Sequence, residues 1–198
     1  ERGNKDLDEA IQNGLDRSLD WVLIGGPPCQ AYSLVGRARN KGTEGYAAEN
    51  DQRHFLYKEY LRIIAEYRPT IFVMENVKGI LSSTVSGKRI FHEILNDMSA
   101  PQLAVGLRES DESNDRYVIC SLTTGSPYQH GDSPEHFDAR EFIVHAENHG
   151  IPQARHRVIL LGIKQSVYRE FAPLQTEPSV SLSEAISDLP PLRSKLSK

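Results

Sequence analysis

Asp20–Ser33 reads DWVLIGGPPCQAYS, and its first half is a short apolar run of strand formers, Trp21 to Ile24. Such a run suits a strand buried on both faces, as in a parallel sheet. Gly25 and Gly26 then open backbone angles closed to other residues, while Pro27 and Pro28 fix their own φ and offer no N–H. The expected result is a rigid turn presenting Cys29 beyond the carboxyl end of the strand, where open α/β sheets collect their ligands. A lone cysteine is more often inert packing than a nucleophile. The setting favours the nucleophile, because a core thiol needs neither two prolines before it nor an amide, Gln30, after it.

Outward from this turn, residues 51–67 read as a helix, with Leu56, Tyr60, Ile63, Ile64 and Tyr67 at helical spacing and Pro69 as its stop. Residues 70–75 read as a second buried strand that delivers Glu75 and Asn76. Two strands joined by one helix make a β-α-β unit, so both strand ends emerge at one edge of the sheet. Residues 87–98 read as a helix with Ile90, Phe91, Ile94, Leu95 and Met98 inward, and 116–122 as a strand with Cys120 as a small core residue. Residues 123–138 read as loop, and His130 and His136 within it lack any metal-ligand spacing. Strands are expected near 141–146 and 157–163. Between them, Gln153, Arg155 and Arg157 alternate, so extended backbone would project all three to one side and turn Ala154 and His156 away. Two guanidiniums beside an amide suit carbonyl and phosphate oxygens.

The 198 residues are enough for one sizeable core, and 38% hydrophobic with 25% charged residues is the composition of an ordinary soluble domain. No apolar run is long enough to span a membrane, and no signal peptide is evident. Two cysteines without ligand spacing exclude a disulfide framework and point to a reducing compartment. A net charge of −4 excludes a generic polyanion binder, so any nucleic-acid contact must be local. Gly36 to Gly42 supplies such a patch, with Arg37, Arg39 and Lys41 unbroken by any acid. Residues 1–19 read as an amphipathic surface helix with Leu7, Ala10, Ile11 and Leu15 on one side. Residues 1–165 are expected to form the chemistry-bearing portion, and 166–198 a linker with a short helix at 181–189.

Three stretches together, GGPPCQAYS at 25–33, FVMENV at 72–77 and GIPQARHR at 150–157, resemble in kind and order the motifs of the cytosine-C5 DNA methyltransferases. The resemblance implies an α/β fold, part of a class I S-adenosylmethionine-dependent (Rossmann-like) methyltransferase sheet, left incomplete here. It implies DNA as partner, a flipped cytosine as substrate, S-adenosylmethionine as cofactor, no metal, and a cytoplasmic restriction-modification setting of bacterial or phage origin. By motif, Cys29 is the nucleophile, Glu75 the general acid, and Arg155 and Arg157 hold the base O2, a phosphate and Glu75, with Arg157 assigned to O2. Gln30, Ser33, Asn76, Gln153, Arg37 and Arg39 fall at substrate-binding positions, Asn76 also shaping the loop, while Pro28 and Leu56 fall at cofactor contacts.

The Gly-rich cofactor turn that precedes the cysteine strand in that family is not found before Cys29, and the family's target-recognition domain is not found after SEAISDLPPL at 183–192. The cysteine strand is therefore expected at a bare sheet edge, covered by a missing N-terminal cofactor half, a partner subunit or a second copy. Two other readings stand beside this one. A transfer-RNA methyltransferase shares the same cysteine and Glu-Asn-Val chemistry, and a non-catalytic module would bind DNA or a methyltransferase without turnover.

Overall fold

The computed structural model describes residues 2–16, 18–28, 57–85, 87–108 and 112–190. In chain order the main elements are α1 (Arg2–Gly14), β1 (Val22–Gly25), α2 (Tyr57–Tyr67) and β2 (Ile71–Val77). A small hairpin of β3 (Thr84–Val85) and β4 (Lys88–Arg89) leads into α3 (Ile90–Ser99). Then come β5 (Tyr117–Cys120), β6 (Pro127–Tyr128), β7 (Ile143–His145) and β8 (His156–Lys164).

The sheet runs in the order β1-β2-β8-β5-β6, with β7 also paired to β8. β1 and β2 are parallel, in the register Gly25↔Met74, so the turn after β1 and the Glu75–Val77 end of β2 lie side by side. The other pairings are antiparallel. β8 is the hub, bound along one side to β2 and along the other to β7 and then β5.

One face of the sheet is dry. Phe72 and Met74 of β2 and Val158 and Leu160 of β8 form a core with Tyr57, Tyr60, Leu61 and Ile64 of α2 and Ile90, Phe91, Ile94, Leu95 and Met98 of α3. The five α3 residues, spaced to share one helix face, are each no more than 1% exposed. Tyr60 ties the helix layer to both parallel strands: its hydroxyl lies 2.9 Å from the Val73 carbonyl and 3.2 Å from that of Leu23, to which it donates. Burial pushes the Tyr60 phenol well above its ordinary range, so it stays a donor. Opposite Phe72 stands Gly162, where a Cβ would lie 2.1 Å from the phenyl ring.

Among the described residues no helix covers the second face. Ile71, Val73, Glu75 and Val77 alternate with the buried residues of β2 and are half-buried. With them go Arg157, Ile159, Leu161 and Ile163 of β8. The row continues into β1, whose Val22 is 52% and Ile24 75% exposed.

The expected double burial of β1 is thus corrected. Among the described residues β1 pairs only with β2, and the helices cover one face, so half of its apolar side chains meet solvent. The expectation of a bare edge at this strand agrees with that arrangement. The first helix ends at Gly14 rather than near residue 19, and its apolar stripe is not core, Leu7 being 44% exposed. It is held by charge instead, the Arg62 guanidinium of α2 lying 3.0 Å from Asp8.

The short helix expected at 181–189 is present as Leu182–Ala185, capped by the Ser181 side chain accepting from the Glu184 N–H. Before it the chain runs back along the sheet: the Leu174 N–H donates to the Leu122 carbonyl at 2.8 Å and the Glu177 N–H to that of Asn148 at 2.8 Å. No helix among the described residues is long and apolar enough to cross a membrane.

Candidate active site

Three chain segments meet at one end of the sheet: the turn after β1, the end of β2 and the start of β8. Gly26 brings the first two together, since a Cβ there would stand 3.2 Å from Glu75 Oε2. A side chain at 26 would press on the carboxylate, which is a local reason for glycine. Asn76, 2% exposed, staples the same two segments. Its Nδ2 donates to the Pro27 carbonyl at 3.2 Å, and its Oδ1 accepts from the Val77 N–H at 2.9 Å.

Glu75 is the focus. Arg157 Nε lies 2.7 Å and Arg155 Nη2 3.7 Å from its Oε1. The arginines thus converge on one carboxylate oxygen, while the other, Oε2, faces Gly26 and the β1 turn. Arg157 also donates through Nη1 to the His156 carbonyl at 2.8 Å. Its side chain is 26% exposed against 50% for Arg155, so Arg155 is the freer of the two.

The alternation argument for Gln153, Arg155 and Arg157 holds for the two arginines. Gln153 stands apart because 151–155 is not extended: the Gln153 N–H donates to the Ile151 carbonyl and the Arg155 N–H to that of Gln153, two tight turns that precede β8. Its side chain is exposed. Pro27 is buried and Pro28 exposed. Cys29, Gln30, Ser33, Arg37, Arg39 and Leu56 lie outside the described residues. Cys120 is core as expected, 0% exposed, and burial pushes its thiol up to about 12.

On the other face of the β8 start is a group that the sequence reading passed over. His156 Nε2 lies 2.5 Å from Glu147 Oε1, and its Nδ1 3.1 Å from Lys78 Nζ. His145, paired with His156 in the ladder, stacks on it at 4.0 Å between ring centroids. The signal available was His145-Ala146-Glu147, two polar residues at strand spacing, facing a histidine between two arginines. His145, Glu147 and His156 place ligand-type atoms within 4.8 Å of one another. A shared proton fits the His156–Glu147 separation better than a metal ion, and the Lys78 ammonium opposes a cation at the same ring.

Comparisons with known proteins point to one family. Residues 3–102 match the family model described as C-5 cytosine-specific DNA methylase. The type II methyltransferase M.Bpa9945I of Bacillus paralicheniformis is 33% identical over 94% of this chain and 37% of its own length. M.DdeI of Desulfomicrobium norvegicum is 29% identical over 85% of this chain and 32% of its own length. M.AquIA of Picosynechococcus is 29% identical over 93% of this chain and 65% of its own length. The chain thus spans about a third of the first two relatives and two thirds of the third. A crystal structure described as a DNA modification methyltransferase encoded within an E. coli prophage superposes with a TM-score of 0.54 at 24% identity, covering 95% of this chain and 39% of that one. The fold is therefore an α/β methyltransferase fold with a partial sheet.

Proposed function

Since the chain belongs to the C-5 cytosine-specific DNA methylase family, we propose that it is the catalytic portion of a DNA cytosine-C5 methyltransferase, with residues 1–165 carrying the chemistry and 166–198 leading away from it. The substrate is a cytosine flipped out of the duplex, because a stacked base cannot reach groups at a sheet edge. The Cys29 thiolate adds to C6, forming the S–C6 bond as the C5–C6 π pair moves toward C5. Glu75 supplies a proton to N3, which makes C6 electrophilic. After C5 has taken a methyl group, loss of the C5 proton to a base expels the thiolate, and N3 returns its proton to the Glu75 carboxylate, which restores the ring.

The observation that carries this reading is the fork on Glu75. With Oε1 taken by Arg157 and Arg155, Oε2 is the oxygen aimed at the β1 turn, where the base would lie beside Cys29. Among the described residues Arg157 spends Nε on Glu75 and Nη1 on the His156 carbonyl, which leaves Nη2 for the base O2. The half-exposed Arg155 suits a phosphate. Gln30, Ser33, Arg37, Arg39 and Gln153 are assigned to the DNA.

S-adenosylmethionine would supply the methyl group when bound. The residues present fit only a margin of its site. Exposed Pro28 and the β1 edge can form one wall, with Leu56 a second contact by motif, but no Gly-rich turn precedes Cys29. We assign the cradle to a further segment or subunit that adds to the free edge of β1.

Methyl transfer from labelled S-adenosylmethionine, measured with this chain and with the chain joined to a cofactor-binding half, tests the reading on duplex DNA and on tRNA. Transfer to DNA that disappears in Cys29→Ser and falls at least about a hundredfold in Glu75→Gln is the expected result. Undiminished transfer by Cys29→Ser would refute it, and preference for tRNA would move the substrate to RNA.

A further inference from the structure

We propose that Lys78, His156 and Glu147 form a hydrogen-bond relay that positions Arg157 and Arg155 on Glu75, making all three positioning residues for the site. The role in chemistry rests on the reaction proposed above, whereas the relay itself does not.

The ladder places the relay. Val77 pairs with Arg157, so Lys78 and His156 stand one step beyond that pair, and His145 faces His156 from the other side. Side chains one step apart point to opposite faces of a sheet. The relay therefore lies under the arginine–Glu75 cluster, on the opposite face, and crosses from the end of β2 to the turn after β7.

Proton bookkeeping fixes its direction. An ammonium can only donate, so His156 Nδ1, 3.1 Å from Lys78 Nζ, must accept. The single proton of the neutral ring then sits on Nε2 and is donated to Glu147 Oε1 at 2.5 Å. The Glu147 carboxyl is held below its usual range, first by its own backbone N–H and then by His156, so it remains an acceptor.

Both arginines hang from the backbone that this relay fixes. The His156 carbonyl accepts from Arg157 Nη1 at 2.8 Å, which leaves Nε directed at Glu75. The Arg155 carbonyl accepts from the Ala146 N–H at 3.1 Å, next to Glu147. Loss of the ring's two bonds would loosen the residue whose carbonyl orients Arg157.

The test is ring and guanidinium NMR on the full chain. His156 is expected to show a bare Nδ1 and a protonated Nε2, and the Arg157 Nε–H to exchange slowly. In His156→Leu that exchange should quicken about tenfold, the loss expected of one charge-assisted hydrogen bond. His156→Gln, whose amide can accept from Lys78 and donate to Glu147, should restore slow exchange.

A merely space-filling histidine would accept leucine without any quickening of this exchange. Fast exchange in His156→Gln, with the variant folded by circular dichroism, would overturn the proposal. So would a bare Nε2 in the native ring, or stoichiometric Zn²⁺ binding that shifts the His145 and His156 rings together. None of these readouts uses methyl transfer, so failure of the relay and failure of the proposed reaction are told apart.

Discussion

A single guanidinium nitrogen decides how Glu75 is presented. Arg157 bonds Oε1 through Nε while Nη1 is occupied by the His156 carbonyl, a planar two-point hold that lysine cannot copy. In Arg157→Lys the proposed methyl transfer should fall about a hundredfold in kcat with a smaller change in KM for DNA, measured by single-turnover and steady-state kinetics. Asn76 carries a different burden. Replacing it by alanine strands the Pro27 carbonyl and the Val77 N–H, so unfolding in urea should show a loss of about 2 kcal/mol.

Cys29 stood out in the sequence because two prolines and an amide beside it are out of keeping with plain packing, whereas Glu75 and the arginines stood out through the order of the three motifs. The relay of Lys78, His156 and Glu147 did not, because each member is an ordinary surface residue until three separate segments bring them to one place. The alternation drawn through Gln153 has a related limit. Alternation assigns sides only where backbone is extended, and two tight turns intervene before β8.

Elements whose contacts are internal to their own periodicity were the legible ones. α3 needed only Ile90, Phe91, Ile94, Leu95 and Met98 in helical order, and all five are buried. β1 was read as a strand correctly and as doubly buried wrongly, since burial depends on which neighbours stand beside and above it. The hub position of β8 was equally invisible, its antiparallel partners β2 and β5 lying far away in the chain.

Packing between elements yields sharp expectations. Gly162→Ala places a methyl group into the Phe72 ring and should lower stability by about 3 kcal/mol or more, read as a drop in Tm. Stability should also decline in alkali. The buried Cys120 keeps its proton to about 12, whereas the unfolded chain releases it from about pH 9. Above that point the native state binds more protons than the unfolded one, so stability falls as pH rises, by up to about 1.4 kcal/mol per pH unit for this group. A urea midpoint that moves steadily lower between about pH 9 and 11 in the native chain, and less so in Cys120→Ala, is the check.

At the scale of the whole molecule the sheet is asymmetric, with helices on one face and a row of half-buried Ile, Val and Leu on the other, running out to exposed Val22 and Ile24. Glu75 and Arg157 stand on that open face, so whatever covers it also walls the site. Ile24→Lys should weaken association with the proposed cofactor-binding half at least about tenfold while leaving the Tm of this chain nearly unchanged, because the side chain is already 75% exposed. The open face also has a thermal consequence. An interface made by dehydrating such side chains releases structured water, carries a negative heat-capacity change and loses strength as the temperature falls. An enzyme closed over this face would then be held together best when warm and would come apart in the cold room, with its fold intact and its chemistry gone until it is warmed again.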